Sequence, residues 1–162
     1  MLSDRLRASQ DMVRRDLDPN FSWVVNETIP WTLPSKPISR SLVALVTSCG
    51  IYRVDTQLPF DAWNHLGDPS FREIHIDTPV ERLRISHAHY NHDNIMADIN
   101  VALPARHLLD LEEQGVIGQL YPWMYSFMGY IPEPRQFVEE TIPILTARLR
   151  RDHVDAVLLT PC

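Results

Sequence analysis

The sequence predicts a single α/β domain, Rossmann-like and built in three layers around a mostly parallel open sheet. Two continuous apolar runs, LVALVT (42–47) and VDAVLL (154–159), are typical of strands buried on both faces of such a sheet. Between these runs, segments with strand-like alternation are interleaved with segments of helical periodicity, which favours right-handed crossovers between parallel strands. With 162 residues, 44% hydrophobic and 22% charged, the chain suits one core.

The N-terminal region precedes the predicted sheet. Residues 1–18 have the apolar spacing of an amphipathic helix, which Pro19 ends. Three prolines in residues 29–39 exclude a helix and a central strand, so this stretch is expected to be extended. We therefore divide the chain into an N-terminal helix and Pro-rich lead-in, residues 1–40, and an α/β domain, residues 41–162.

Two further strands are predicted between the apolar runs. SFREIHID (70–77) alternates apolar and polar residues, as a half-buried strand does. RLRIS (82–86) alternates too, and the same period of two continues past its end into a histidine-rich segment. One side of this strand and its extension is expected to hold Leu83, Ile85, His87 and His89. The two histidines therefore extend an apolar face beyond the carboxyl end of a strand.

Two helices are predicted in the second half of the chain. PARHLLDLEEQG (104–115) places Pro near its start and Gly just beyond its end, the usual asymmetry of helix termini. Apolar residues recur at helical spacing through residues 133–153, where Pro143 is expected to kink the helix or restart it. The apolar run 154–159 then forms the last predicted strand.

Composition and charge argue against several classes of function. The formal charge of −6 disfavours a broad surface for nucleic acid. No stretch approaches the roughly 20 apolar residues of a membrane span, and the opening residues lack the apolar core of a secretory signal, so we expect a cytoplasmic protein. Lys36 is the only lysine, and the chain has neither a P-loop nor a GxGxxG motif. Trp23, Trp31 and Trp63 lie outside the strong patterns, which is compatible with a homodimer.

The predicted sheet brings sulfur and imidazole groups to one edge. Ligands of open α/β sheets bind beyond the carboxyl ends of the strands. In this sequence that edge is expected to carry Cys49, His87, His89 and Cys162. Two cysteines are too few for a disulfide framework. Cys49 is interpreted either as a small buried residue or as half of a redox pair with Cys162.

The segment ISHAHYNHDN (85–94) has three interpretations. Its His87-x-His89-x-Asn91-His92 spacing resembles the HxHxDH signature of metallo-β-lactamase-like hydrolases, which predicts zinc or another divalent metal bound by the three histidines. The amide of Asn91 replaces the carboxylate that helps to hold a second metal in that family. Alternatively, the segment is a polar turn. The third interpretation is a substrate pocket built on His87 and His89.

A longer resemblance runs from about residue 30 to the end of the sequence. In chain order, the matching segments are PWTLPSKPIS, SLVALVTSCGIY, LPFD, GDPSFREI, RISHAHYNHDNIMADINVALP, HLLDLEEQGVIGQL, MYSFMGYI and VDAVLLTPC. On these segments the chain resembles the selenoprotein B family of glycine, sarcosine, betaine and D-proline reductases. Because the segments occur in the same order, the resemblance is more specific than any one of them.

The resemblance implies a thiol- or selenol-dependent reductase that cleaves a carbon–heteroatom bond of a small amine or amino-acid-like substrate. Its electrons would come from a thioredoxin-like dithiol protein. Catalysis is predicted for Cys162, as the nucleophile, and for His87. The predicted substrate-binding residues, taken from the family pattern together with the strand-end histidine, are Ser86, His89, Tyr90, Asp98, Asn100, Tyr125 and Ser126.

Members of this family commonly continue past the Thr-Pro that follows the last strand into a cysteine or selenocysteine. Here the sequence ends at Cys162, so a selenocysteine just beyond it is one expectation, and one hypothesis is that translation stopped at its codon. A chain that lacks the following helix is expected to be impaired, because the positive end of that helix would activate the thiol. A non-catalytic binding protein that kept the pocket is the remaining alternative.

Overall fold

The structure, a computed structural model, describes residues 3–16, 19–23, 28, 32–88 and 90–161. The chain divides into two compact units, residues 1–33 and residues 34–162. Within the described residues, no helix is both long enough and apolar enough to span a membrane.

The first unit is built on helix α1, Asp4–Asp16, which confirms the predicted N-terminal helix. The segment after the helix returns along it, because Trp23 donates two hydrogen bonds to α1. Its backbone N–H bonds Gln10 Oε1 (3.0 Å), and its indole nitrogen bonds the carbonyl of Leu6 (3.0 Å). In the Pro-rich stretch, residues 29–31 lie outside the described residues, and residues 32–37 form neither helix nor strand, as expected. Residues 38 and 39 differ from the prediction, since they lie in the 3₁₀ turn Ile38–Arg40.

The second unit contains the sheet. In chain order, its strands are β1 (Leu42–Thr47), β2 (Ile51–Arg53), β3 (Phe71–His75), β4 (Leu83–Ile85), β5 (Gln119–Leu120), β6 (Trp123–Phe127) and β7 (Ala156–Thr160). Its α-helices are α2 (Asp93–Ala97), α3 (Ala105–Glu113) and α4 (Ile142–Arg151). Short 3₁₀ turns occur at Ile38–Arg40, Val80–Arg82 and Ile99–Val101.

The sheet is centred on β1 and is mostly parallel. On one side β1 pairs in parallel with β7, from Val43 opposite Ala156 to Thr47 opposite Thr160. On its other side β1 pairs in parallel with β5 at its start and with β6 at its end. β3 pairs antiparallel with β6 and forms the edge of the sheet on that side. β2 and β4 form a separate antiparallel ribbon. The fold is therefore mixed α/β with a mostly parallel sheet, as predicted at that level.

The two helices predicted in the second half are confirmed. α3 begins directly after Pro104, and Gly115 beyond its end has a φ of +70°, a left-handed conformation that glycine adopts without strain. A π-helical turn at Phe137–Thr141 leads into α4, and Pro143 lies in the first turn of α4, where its missing N–H leaves no intrahelical bond unmade. The helix therefore changes from π to α geometry just before this proline and is not interrupted by it.

The core is divided between the two faces of β1. Val43 and Leu45 lie in a larger cluster that also contains Cys49, whereas Ala44 and Val46 lie in a smaller cluster on the other face. These side chains alternate because successive residues of a strand point to opposite faces. The prediction that 42–47 is a strand buried on both faces is therefore correct.

The prediction that the last strand is buried is wrong. The three large apolar side chains of β7, Val157, Leu158 and Leu159, are 42%, 39% and 67% exposed. Among the described strands, β7 pairs with β1 alone and so forms an edge of the sheet. An apolar run identifies a strand suited to burial, but the neighbours of the strand decide whether it is buried.

Three strands were not predicted, and one predicted strand lies outside the main sheet. β6 was not predicted, because WMYSF is rich in aromatic and apolar residues and shows no simple alternation. The predicted strand RLRIS corresponds to β4, which pairs with the unpredicted β2 in the ribbon and not in the main sheet. Neither β2 nor β5 exceeds three residues, and strands this short carry little sequence signal.

Candidate active site

The carboxyl ends of β1 and β7 meet at one rim of the sheet through the backbone of Thr160. The carbonyl of Thr160 accepts hydrogen bonds from the backbone N–H of Ser48 (3.1 Å) and from Thr47 Oγ1 (3.2 Å). Thr47 Oγ1 in turn accepts from the backbone N–H of Cys49 (3.2 Å). The last residue of β7 therefore fixes the turn that presents Cys49.

The side chain of Thr160 ties a third segment to this rim. Its hydroxyl donates to the carbonyl of Ala102 (2.8 Å), and the carbonyl of Val46 lies 3.3 Å from the same oxygen. Ala102 follows the 3₁₀ turn Ile99–Val101, which continues from the histidine-rich segment. Thr160 was not among the predicted site residues, although it lies in the segment VDAVLLTPC.

We expect Thr160→Val to lower the free energy of unfolding by about 1 to 2 kcal/mol, because it removes the hydroxyl but keeps the shape of the side chain. The change leaves the buried carbonyl of Ala102 without its donor. Urea denaturation of wild type, Thr160→Val and Thr160→Ser measures the effect. Thr160→Ser keeps the hydroxyl, so equal losses in the two variants would show that the hydrogen bond contributes nothing.

Gly50 brings the β1 turn against the histidine segment. Its φ is +67°, and a Cβ at this position would lie 2.5 Å from the carbonyl oxygen of Ser86 and 3.2 Å from the Cβ of His87. The backbone N–H of Ser86 also donates to the carbonyl of Gly50 (2.9 Å). Close approach of two backbones requires glycine here. Cys49 and His87 consequently lie on adjoining segments, in agreement with the predicted edge.

Ser86 is held by the loop that contains LPFD. Its hydroxyl donates to the carbonyl of Phe60 (2.7 Å). Arg72 fixes this loop, since its guanidinium donates to the carbonyls of Leu58 (2.9 Å) and Pro59 (3.2 Å) and lies 4.2 Å from the centre of the Phe60 ring. Ser86 therefore positions the start of the histidine segment.

His87, Tyr90 and His92 form an aromatic row above the Cys49 turn. The rings of His87 and Tyr90 are 4.7 Å apart and those of Tyr90 and His92 are 4.5 Å apart, both in edge-to-face contact. The Tyr90 hydroxyl donates to the carbonyl of Cys49 (2.8 Å). Burial raises the pKa of Tyr90 to about 12, so the phenol remains a neutral donor near neutral pH. His87 itself is only 7% exposed.

Ser126 and Tyr125 are neighbours in β6 but face different sides of the sheet. The fully buried hydroxyl of Ser126 accepts from the backbone N–H of Ile51 (2.8 Å) and so stabilises the chain that leaves the Cys49 turn. Tyr125 packs in the smaller cluster, against Tyr121 and Phe71. The structure therefore brings Ser126, but not Tyr125, to the rim that carries Cys49.

Asp98 and Asn100 lie beside a separate cavity of about 330 Å³, which Ile85 and Ile95 also line. Asp98 Oδ1 accepts from both the backbone and the side-chain amide of Asn100 (2.9 Å each), which holds the pKa of Asp98 below its usual value. These bonds cap the following 3₁₀ turn. Both apolar residues belong to the same core region as Cys49, so the cavity lies on the Cys49 face of the sheet.

Two of the predicted site residues, His89 and Cys162, lie outside the described residues. The part of the chain that the structure describes holds no group of three His, Cys, Asp or Glu side chains able to bind a metal ion. The proposed metal ligands His87 and His92 each contact the ring of Tyr90. The buried Nε2 atom of His92 has no hydrogen-bond partner in the structure.

The fold and this geometry define an α/β protein with a candidate active site at the carboxyl rim of a mostly parallel sheet, where cysteine, imidazole and phenol groups lie together. Comparison with known proteins identifies the family. The sequence model of glycine/sarcosine/betaine reductase selenoprotein B matches residues 11–162. The chain belongs to this selenoprotein B family, which confirms the resemblance found in its segments.

Curated relatives are subunits of reductase complexes. The chain is 36% identical to the D-proline reductase subunit gamma of Acetoanaerobium sticklandii over 131 residues, which cover 80% of this chain and 52% of that subunit. It is 40% identical over 132 residues to the glycine reductase complex component B subunit gamma of Peptoclostridium acidaminophilum, covering 77% and 28%. The corresponding subunit of Symbiobacterium thermophilum is 28% identical over 144 residues, covering 83% and 31%.

The chain spans about half the length of the D-proline reductase subunit and less than a third of the length of the two glycine reductase subunits. No solved structure matches the chain significantly.

Proposed function

We propose that the chain takes part in a thiol- or selenol-dependent reductase that cleaves a carbon–heteroatom bond of a small amine or amino-acid-like substrate. The observation that carries this proposal is the meeting of three segments at one rim. Thr160 joins β7 to the Cys49 turn, and Gly50 joins that turn to Ser86 and His87. Membership of the selenoprotein B family supports the same chemistry.

In the proposed reaction a sulfur or selenium nucleophile at or next to Cys162 attacks the substrate carbon, and the amine leaves. An amine leaves readily only after it is protonated, so a general acid is required. His87 suits this role, because it is an imidazole held between the Gly50 turn and Tyr90. The buried position of His87 also shields the reacting groups from bulk water.

The remaining predicted residues take supporting roles in this proposal. Ser86 and Ser126 position backbone through their hydrogen bonds, and His89 and Tyr90 bind substrate. Asp98 carries a negative charge beside a cavity on the same face, which suits the ammonium group of an amine substrate. We infer that the sheet is Rossmann-like, and that a thioredoxin-like dithiol protein of the cytoplasm restores the reduced state.

The test uses the native complex, isolated through a tag on this chain, with dithiothreitol as reductant. Glycine, sarcosine, betaine and D-proline are supplied separately, and the reduced products are quantified. We expect one substrate to be consumed, and we expect alkylation by iodoacetamide to abolish the reaction. His87→Asn should lower kcat by about 10² or more with a smaller effect on KM, because it removes the proton donor.

His65→Asn is the matched control, since His65 is exposed and should leave kcat unchanged. An absence of product from every substrate would overturn the proposal. An activity that resists alkylation but disappears with a chelator would instead support the metal-dependent hydrolase, and bound zinc measured by elemental analysis would then be required.

A further inference from the structure

A cavity with basic walls lies at the opposite edge of the sheet from the candidate active site. Its volume is about 400 Å³, and it is lined by Leu42 at the start of β1, Gln119 at the start of β5 and Asp155 just before β7. Because β1 has six residues, at about 3.3 Å per residue, the cavity is roughly 20 Å from the rim that carries Cys49. A small molecule bound in this cavity would therefore not occupy the substrate site.

Basic side chains from both ends of the second unit line this cavity. Lys36 belongs to the Pro-rich stretch, Arg40 to the 3₁₀ turn Ile38–Arg40, and His153 to the turn between α4 and β7. Asp155 is the one acidic side chain among the described residues that line it. The fold therefore gathers positive charge here, although the whole chain has a formal charge of −6.

An ion pair within this group neutralises the acidic side chain. Asp155 Oδ2 lies 2.7 Å from Lys36 Nζ and accepts a hydrogen bond from the backbone N–H of Leu42 (2.7 Å). The bond from Lys36, followed by the bond from Leu42, lowers the pKa of Asp155, so the carboxylate stays ionised near neutral pH. Since the charges of Lys36 and Asp155 cancel, Arg40 and the imidazole of His153 determine the net charge that a ligand meets.

Several hydrogen-bond donors of this cavity are available to a ligand. With the other described residues, no hydrogen bond or ion pair is formed by the guanidinium of Arg40, the hydroxyl of Ser39 or the side-chain amide of Gln119. The turn that carries Arg40 is nevertheless fixed, because the carbonyl of Ile38 accepts from the backbone N–H of Gly118 (3.0 Å). A fixed backbone lowers the entropy cost of binding.

A second cavity, of about 510 Å³, adjoins the first one. Both cavities are lined by Lys36, Ser41 and Asp155. The other walls of the second cavity are mostly apolar, and they come from Pro34, Ser35, Pro37, Ile38 and Ala156. One cavity therefore offers cationic donors, and its neighbour offers apolar surface beside the same ion pair.

We propose that these two cavities together bind a small organic phosphate. Its phosphate group is held by Lys36, Arg40 and His153, and its apolar part contacts Pro37 and Ile38. A guanidinium group forms paired hydrogen bonds with phosphate oxygens, and the second charge of a phosphate is balanced by a protonated imidazole. The two volumes lie in the usual range of small-molecule sites, about 300 to 1,000 Å³. This binding does not depend on the proposed reductase function.

Binding of the anionic group is tested by isothermal titration of the full chain with sodium sulfate and with sodium phosphate, at an ionic strength held constant with sodium chloride. We expect both anions to bind with a dissociation constant of about 1 mM or below. Arg40→Gln should weaken binding about tenfold, because it removes the paired donors. Arg135→Gln is the matched control, since Arg135 is exposed and lines neither cavity. Absence of binding, or equal affinities in wild type and Arg40→Gln, would overturn the proposal.

Lys36→Met and Asp155→Asn form a second, matched pair of variants, because both break the same ion pair. Lys36→Met leaves the carboxylate uncompensated beside the ligand, so the affinity for sulfate should fall about tenfold. Asp155→Asn leaves the ammonium uncompensated, so the affinity for sulfate should rise about fivefold. Thermal melts confirm that both variants are folded. A fall of similar size in both variants would show that the ion pair has only a structural role, and this result contradicts the proposal.

Phenyl phosphate tests the contribution of the apolar cavity. It should bind about tenfold more tightly than inorganic phosphate, because its ring buries apolar surface against Pro37 and Ile38. Ile38→Ser should remove this gain and leave the affinity for inorganic phosphate unchanged. Equal affinities of the wild-type chain for the two probes would show that the second cavity does not take part in the same site.

Discussion

Gly50→Ala is expected to lower the free energy of unfolding by about 3 to 4 kcal/mol, one of the largest effects of any single substitution near the site. A left-handed conformation costs a residue with a Cβ about 1 to 2 kcal/mol. The added Cβ would also lie 2.5 Å from the carbonyl oxygen of Ser86, which is backbone and has little freedom to move. Urea denaturation of the purified chain measures the loss.

Gly115→Ala is the matched control for this prediction. Gly115 has a φ of +70°, close to that of Gly50, but an added Cβ would meet no atom within 4 Å. Gly115→Ala should therefore show the conformational cost alone, about 1 to 2 kcal/mol. Equal losses in the two variants would contradict the close contact between the Gly50 turn and Ser86.

The Gly50→Ala substitution is expected to lower catalytic activity as well as stability. Relief of the clash requires the Ser86 and His87 backbone to move away from Cys49, and His87 is the proposed proton donor. A displacement of about 1 Å at a reacting group can cost a factor of about 10² in rate. Any Gly50→Ala protein that remains folded should consequently lose activity well beyond the fraction that unfolds.

The sequence predicted the parts of the site that depend on local pattern. The apolar run of β1 and the period of two through β4 placed Cys49 and His87 at the same edge, and the structure confirms that they lie on adjoining segments. Both predictions need only the alternation of side chains along a strand. The family resemblance added Ser86 and Tyr90, which hydrogen-bond to Phe60 and Cys49.

Other parts of the site depend on contacts between distant segments, for which a single sequence carries no signal. Thr160 bonds the carbonyl of Ala102, 58 residues away in the chain. Ser126 faces the Cys49 turn while Tyr125 faces the opposite cluster, and that division follows from the register of β6 beside β1. Because β6 was not predicted as a strand, its side chains could not be assigned to opposite faces of a sheet. Tyr125 and Ser126 were therefore both predicted to line one pocket.

Leu45→Ala is expected to lower the free energy of unfolding by about 2 to 5 kcal/mol. Leu45 is fully buried in the middle of β1, between β7 on one side and the β5–β6 side on the other. Its truncation removes apolar contacts and leaves a cavity that close-packed neighbours fill only in part. Urea denaturation of the purified chain again supplies the measurement, and a loss below about 1 kcal/mol would contradict the central position of β1.

Leu159→Ala on the neighbouring strand removes the same atoms from the outer side of the sheet. Leu159 is 67% exposed, so its truncation in the isolated chain should cost less than about 1 kcal/mol. Strands with long apolar runs are normally covered on both faces, and the curated relatives are subunits of complexes. If a partner subunit covers β7, Leu159→Ala should weaken assembly of the native complex while it leaves the isolated chain almost unchanged. A loss in the isolated chain equal to that of Leu45→Ala would instead show that β7 is already covered there.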